Sequence, residues 1–215
     1  PPPSSGGVAL VEMMNIIELV NLDSVKFNST AYVHLMAEVM RRAFADRAAY
    51  IGDPDFNPEM PLDELTSKVF AKKRFGNIDM TKASVSDAAL YGHPYDGNNT
   101  THFSVVDKEG NAVSLTYTLE YAYGSQMGSN KLGFIFNNEM GDFNPVAGLT
   151  TNSGQIGSPP NLIAPEKRML SSMTPTIVAK NGKPYLIIGS PGGRTIINTV
   201  FQTVVNVLAY DMQID

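Results

Sequence analysis

DGNNTTHFSVVD, residues 96–107, passes from a polar, turn-forming run into an apolar segment with no spacer, and the change falls on Thr100 and Thr101. Threonine is a good strand former and often opens a strand. A sharper reading gives one of the two hydroxyls a chemical role at the first position of the strand. Before this junction the residue periodicities are helical, and after it they are those of strands. That contrast sets the fold class.

Upstream, polar side chains within residues 7–22 recur every third position, at Glu12, Asn15, Glu18 and Asn21, with apolar residues almost everywhere between. The pattern predicts a helix with one narrow wetted stripe. Asn28-Ser29-Thr30 offers cap oxygens to a second helix of about 20 residues. Its polar positions are His34, Glu38, Arg41, Arg42 and Asp46, and Gly52-Asp53-Pro54 ends it. A third, shorter helix is expected from Pro61, with Lys68, Lys72, Lys73 and Arg74 as a solvated basic face. Residues 76–99 show little periodicity and read as a loose connector open to processing.

Downstream, residues 101–107 and 112–120 flank Lys108-Glu109-Gly110-Asn111, a hairpin turn with Gly and Asn available for positive φ. GFIFNNEM, residues 133–140, reads as a further strand. Residues 174–180 and 183–190 flank Asn181-Gly182, a strong hairpin signal. A last helix is expected over residues 194–210, with Asn198, Gln202 and Asn206 as its polar stripe. Helices, a linker, antiparallel strands and a closing helix make an α+β fold, with helices packed on antiparallel sheet.

Composition narrows the function classes. The chain has 215 residues, 43% hydrophobic and 17% charged, which places it among globular proteins. A net charge of −5 argues against a nucleic-acid partner. The absence of cysteine excludes disulfides and a thiolate nucleophile. His34, His93 and His102 are too scattered in sequence to suggest a metal cluster. No apolar run reaches the roughly 18 residues of a membrane span, and the first residues lack the basic region of a signal peptide. Both ends read as cuts from a longer protein.

Several short stretches could carry chemistry. GSPGGRT, residues 189–195, lies between a strand and a helix, where backbone N–H groups could meet an anion or an oxyanion; it could equally be a tight turn with no ligand. Ser171 and Ser172 precede a strand and could be no more than a cap. Glu139 and Asp142 stand three residues apart past a strand end, as an acid–base pair, an ammonium site or plain surface charge. On a strand, Thr100 and His102 share a face, so a Thr–His pair is conceivable. Threonine nucleophiles, however, more often use their own α-amino group, which titrates at about 7.7–8.0. That arrangement requires cleavage before Thr100: its hydroxyl attacks the Asn99 carbonyl, the peptide C–N bond breaks to release the α-amine, and water hydrolyses the resulting ester.

Six segments in order resemble the γ-glutamyltransferase family of the N-terminal nucleophile hydrolases: PPPSSGG (1–7), AFADRAAYIGDPDF (43–56), TTHFSVVDKEGNAVSLTYTLE (100–120), NNEMGDF (137–143), LSSMTPTIV (170–178) and GSPGGRTIINTVFQ (189–202). The resemblance implies an αββα sandwich made by self-cleavage between Asn99 and Thr100. Residues 1–99 would then be the C-terminal part of a large subunit and residues 100–215 the N-terminal part of a small one. It implies Thr100 as nucleophile, Thr118 as its activating hydroxyl, and Gly192 and Gly193 as the oxyanion hole. Ser171 and Ser172 would bind the α-carboxylate of a γ-glutamyl group, and Glu120, Glu139 and Asp142 its α-ammonium. The family's further glutamate-binding arginine would precede this chain. The loop 143–165, similar to the family's lid, has no tyrosine, and Met169 stands where proline is usual.

The implied reaction is γ-glutamyl transfer from glutathione or another γ-glutamyl donor to water, an amino acid or a dipeptide, with no cofactor. The remaining segments of the same precursor would be partners, and the location periplasmic or extracellular. A related acylase of the cephalosporin or polyglutamate-processing type, an inactive fragment, and a non-catalytic binding module are the alternatives.

Overall fold

The computed structural model describes residues 2–85, 100–144, 146–147 and 158–214. Among the described residues, α1 (Gly6–Ile17), α2 (Thr30–Tyr50), α3 (Leu62–Leu65) and α4 (Lys68–Phe75) come first and α5 (Ile196–Ala209) last. Between them stand β1 (Thr100–Val106), β2 (Ala112–Thr118), β3 (Thr176–Lys180) and β4 (Lys183–Ile188). β1 pairs antiparallel with β2 and β3 with β4, giving two hairpins.

The second helix starts where the sequence places it, with the Ser29 hydroxyl accepting the Tyr32 N–H at 3.2 Å. The third predicted helix is broken in two, because Ser67 stops α3 and caps α4 through the Phe70 N–H. GFIFNNEM does not form a strand. It meets residues 125–129 through a bridge between Gly128 and Ile135 and backbone bonds in which the Ser125 and Ser129 N–H groups donate to the Phe136 and Phe134 carbonyls and the Phe136 N–H to the Met127 carbonyl. Residues 139–142 turn as a short 3-10 segment. In the β3–β4 turn Asn181 and Gly182 both take positive φ, as an Asn-Gly hairpin turn requires. In the first hairpin Gly110 alone supplies it.

α1, α2 and α5 pack into one apolar core through Met13, Ile16, Leu35, Val39, Val200 and Phe201. The wetted stripe expected on α1 is half wrong. Glu12 and Asn15 are buried, whereas Val11 is 43% exposed. Glu12 faces Asp46, and burial together with that neighbouring charge raises its pKa to about 9. Protonated Glu12 can therefore share its hydrogen with Asp46. Arg74 pairs with Asp46 from the other side and stacks over the Phe70 ring, so the supposed basic face of the third helix loses one member to the interior.

Of the polar positions read on the second helix, Glu38 and Asp46 are likewise interior. Arg42 donates to the Glu38 carboxylate at 2.6 Å, and the Ser84 N–H and hydroxyl donate at 2.9 and 2.6 Å. These bonds anchor the first part of the predicted connector: Arg42 also bonds the Asn77 carbonyl, and His34 the Asp79 carbonyl. The rest of that connector, residues 86–99, lies outside the described residues.

The two hairpins meet through side chains. Ser104 and Ser114, directly opposite one another in the first ladder, donate to the Ile187 and Ile188 carbonyls of β4 at 3.2 and 3.0 Å. The other face of the first hairpin is apolar and open, with Phe103, Val105, Val113 and Tyr117 each about half exposed.

Candidate active site

The ladder register sets Thr100 opposite Thr118. Their hydroxyl oxygens lie 3.3 Å apart, and Thr118 Oγ1 also accepts the Glu120 N–H at 2.9 Å. That bond turns the chain sharply after β2 and leaves Glu120 at φ 70°. A non-glycine residue there costs on the order of 1 kcal/mol and persists only where its surroundings over-determine it.

The turn delivers the Glu120 carboxylate into a cleft with Thr100 and Thr118. Glu139 and Asp142 enter it from the 3-10 turn, Ser171 and Ser172 from the segment before β3, and Gly193 and Arg194 from the turn before α5. The unfilled volume, counted out to solvent, is about 530 Å³. Eight of the predicted site residues thus converge from segments far apart in the chain. Gly192, at φ 126°, sits directly before Gly193 but is not part of the wall. Asn99 lies outside the described residues.

The three acids crowd one end of the cleft. Burial, then the charge of Asp142, raises Glu120 to about 7, against a lowering pull from Arg194. Glu139 is also raised to about 7, by burial and by Asp142 and Glu120. Burial raises Asp142 as well, with Arg194 and Arg47 opposing. As carboxylates, one oxygen of Glu120 and both of Glu139 are buried without a hydrogen-bond donor among the described residues. Glu139 can engage Asp142 only by sharing a proton. Such a cluster favours a cation, which would neutralise the crowding and supply the missing donors.

The serines are held differently. Ser171 Oγ accepts the Met173 N–H at 3.2 Å, and Ser172 Oγ accepts from Arg47 Nη2 at 3.1 Å. Arg47 reaches them from the last turn of α2 and donates through Nε to Ser5 Oγ at 2.6 Å. Burial lowers Arg47 to about 10, opposed by the charge of Asp142. Arg47, Arg194 and Ser5 went unrecognised in the sequence, although all three lie inside segments that carry the family resemblance.

His102 does not pair with Thr100. Its Nδ1 is 2.9 Å from Thr116 Oγ1 and its Nε2 3.1 Å from Ser104 Oγ, and burial lowers its pKa, which favours the neutral ring. The ring packs on Gly189 so closely that a Cβ there would overlap it. β1 is thereby fitted to the start of the glycine turn. Below the cleft, Asn161 donates to the Asp142 carbonyl at 2.7 Å and accepts the Leu170 N–H at 2.9 Å, joining the base of the predicted lid to the acid turn and the serine segment.

Helices against paired antiparallel hairpins, with a strand-opening threonine at the cleft, make an α+β fold. The fold is shared with cephalosporin acylase from Bacillus halodurans, with a TM-score of 0.75 at 21% identity over 99% of this chain and 35% of that one. The sequence profile of the Gamma-glutamyltranspeptidase family matches residues 1–215, and the chain belongs to that family. A glutathione hydrolase proenzyme of Escherichia coli strain K12 is 45% identical over 100% of this chain, which spans only 37% of that relative's length. The crystal structure of a mutant Helicobacter pylori gamma-glutamyltranspeptidase is 50% identical, with a TM-score of 0.50 over 54% of this chain and 62% of that one.

Proposed function

We propose that the complete protein cleaves itself between Asn99 and Thr100 and then transfers or hydrolyses γ-glutamyl groups from glutathione or similar donors. Residues 1–99 and 100–215 would belong to its large and small subunits. The observation that carries the reading is the convergence of Thr100 with three acids, two of them with buried oxygens lacking donors among the described residues, and two serines on one cleft. An α-amino acid head group needs this pair of subsites: carboxylates for its ammonium, hydroxyls for its carboxylate.

In the reaction, Thr100 Oγ adds to the γ-carbonyl carbon while its proton passes to the new α-amine. Thr118 Oγ1 accepts from both Thr100 Oγ1 and the Glu120 N–H, so its own hydrogen can turn to Thr100 Oγ once that oxygen has given up its proton. The Gly192–Gly193 backbone is the candidate donor set for the oxyanion. The tetrahedral intermediate collapses to a γ-glutamyl ester, and the protonated amine supplies the hydrogen for the departing nitrogen. Water, an amino acid or a dipeptide then takes the acyl group. The family setting supports a location outside the cytoplasm; no helix among the described residues is long and apolar enough to cross a membrane.

Intact-mass analysis of the full precursor tests the first half. Wild type should separate into two chains at Asn99/Thr100, and Thr100→Ala should remain whole. Turnover of γ-glutamyl-p-nitroanilide with and without glycylglycine tests the second. Cleavage without γ-glutamyl turnover would assign the chain to the acylase branch.

A further inference from the structure

The PPPSSGG segment has no part in the chemistry above, yet it is built into the serine subsite. Residues 4 and 171 form a parallel bridge, in which the Ser5 N–H donates to the Ser171 carbonyl at 2.9 Å and the Ser171 N–H to the Pro3 carbonyl at 3.3 Å. Ser4 Oγ donates to the Met173 carbonyl at 2.7 Å, and Ser5 Oγ to the Ser171 carbonyl at 2.7 Å. Ser5 is fully buried and heads α1, but its hydroxyl does not cap that helix; it is diverted to the serine segment. Gly6 lies against Met173 and Thr174 so closely that any side chain would collide with them.

The direction of these bonds matters more than their number. A serine hydroxyl has one hydrogen to give and oxygen lone pairs to receive. Ser171 Oγ receives from the Met173 N–H and Ser172 Oγ from Arg47, so in each the oxygen is already engaged as acceptor. Each hydroxyl hydrogen is then left for an anion in the cleft. Arg47 is itself fixed, because its Nε is held by the Ser5 oxygen.

We propose that Ser4, Ser5 and Gly6 together with Arg47 form a positioning cradle that presents the hydroxyls of Ser171 and Ser172 as paired hydrogen-bond donors to the substrate's α-carboxylate. The proposal rests on the γ-glutamyl reading above and deepens it. Arg47 and Ser5 are positioning residues: they act through the two serines.

Arg47→Lys and Ser5→Ala in the complete precursor test it, with wild-type turnover of γ-glutamyl-p-nitroanilide as the control for the underlying function. Both variants should still self-cleave and keep kcat within about twofold, while KM for the donor rises about tenfold, the scale of one charge-assisted hydrogen bond. Inhibition by glutamate should weaken by the same factor. Inhibition by γ-aminobutyrate, the same chain without the α-carboxylate, should not change. An unchanged KM, a loss confined to kcat, or equal weakening of both inhibitors overturns the cradle while leaving the enzyme reading intact. An inactive wild type would overturn the enzyme reading instead. If Arg47→Lys fails to fold, Ser5→Ala alone carries the same readouts.

Discussion

Two groups of buried carboxylates in this chain are built from the same chemistry and end in opposite states. Burial alone would raise Glu38, but donors from Ser84 and Arg42 and the Arg41 charge bring it down to about 2. Asp53 is likewise lowered, chiefly by hydrogen bonds from Arg168. In the cleft, Glu120 and Glu139 keep buried oxygens without donors and rise to about 7. The first group is completed by the fold. The second is left incomplete by it, at the place where a substrate cation would complete it. Glu12 is a third case: buried with one oxygen lacking a donor and raised to about 9, it lies outside the cleft beside Asp46, with which it can share its proton. A missing donor therefore points to a ligand only where the acid also opens onto a cleft.

Substitutions that separate these states test the contrast. The largest effect is expected from Glu139→Gln in the complete enzyme, which should lower kcat/KM for a γ-glutamyl donor about a hundredfold through loss of an ammonium partner. The same change should raise, not lower, the unfolding midpoint at pH 8. Glu139 holds its proton to about 7 in the fold but only to 4.5 when unfolded, so stability falls as pH rises between those values and the penalty is fully present above them. Removing the ionisable group removes that penalty. A lower midpoint at pH 8 would refute the assignment of Glu139 as an unsatisfied acid.

Glu38→Gln should do the reverse. Steady-state kinetics should stay near wild type while stability at pH 7 drops by about 2 kcal/mol. With a folded pKa near 2 and an unfolded value of 4.5, the contribution of Glu38 is fully present above 4.5 and is lost as pH falls through about 2. Denaturant titrations of both proteins should therefore differ at pH 7 and converge near pH 2.

A smaller effect is a pH dependence of donor binding. As pH falls from 8 to 6, Glu120 and Glu139 take up protons and KM should rise, by about tenfold at most over the last unit, with kcat less affected. A flat KM across this range would remove both groups from the ammonium subsite. The smallest change is expected at Lys68, whose ion pair with Glu18 is more than half exposed on both sides. Lys68→Ala should cost under about 0.5 kcal/mol, read as a barely shifted unfolding midpoint.

The sequence made the helices and hairpins legible where local signals were strong: the Ser29 cap, the Asn181-Gly182 turn and the apolar face of α5. It failed where tertiary partners decide. Glu12, Glu38 and Asp46 fit a solvated stripe by spacing, but they are buried through interactions among themselves, with arginines and with Ser84, which lies far along the chain. GFIFNNEM has the apolar run of a strand, but it meets only residues 125–129, through one bridge and a few backbone bonds, so it forms a looped arm and not a ladder. The site was legible as a set of residues through family resemblance, and its geometry was not. Arg47 looked like an ordinary residue near a helix end; only the arrival of Ser5 and Ser172 gives it a task. In the same way, His102 invited a catalytic reading from its spacing, but Thr116 and Ser104 occupy both its nitrogens.

The contact between the His102 imidazole and Gly189 has a mechanical consequence. The threonine proposed to attack opens the first hairpin, and the glycines proposed to receive the developing charge follow the second, in the turn before α5, so their separation could drift as the molecule flexes. Because an aromatic edge from one hairpin sits where the other has no side chain, the two advance or retreat together, like meshed teeth. A single methyl group at Gly189 would wedge that mesh apart and open the gap between attacker and acceptor without touching either.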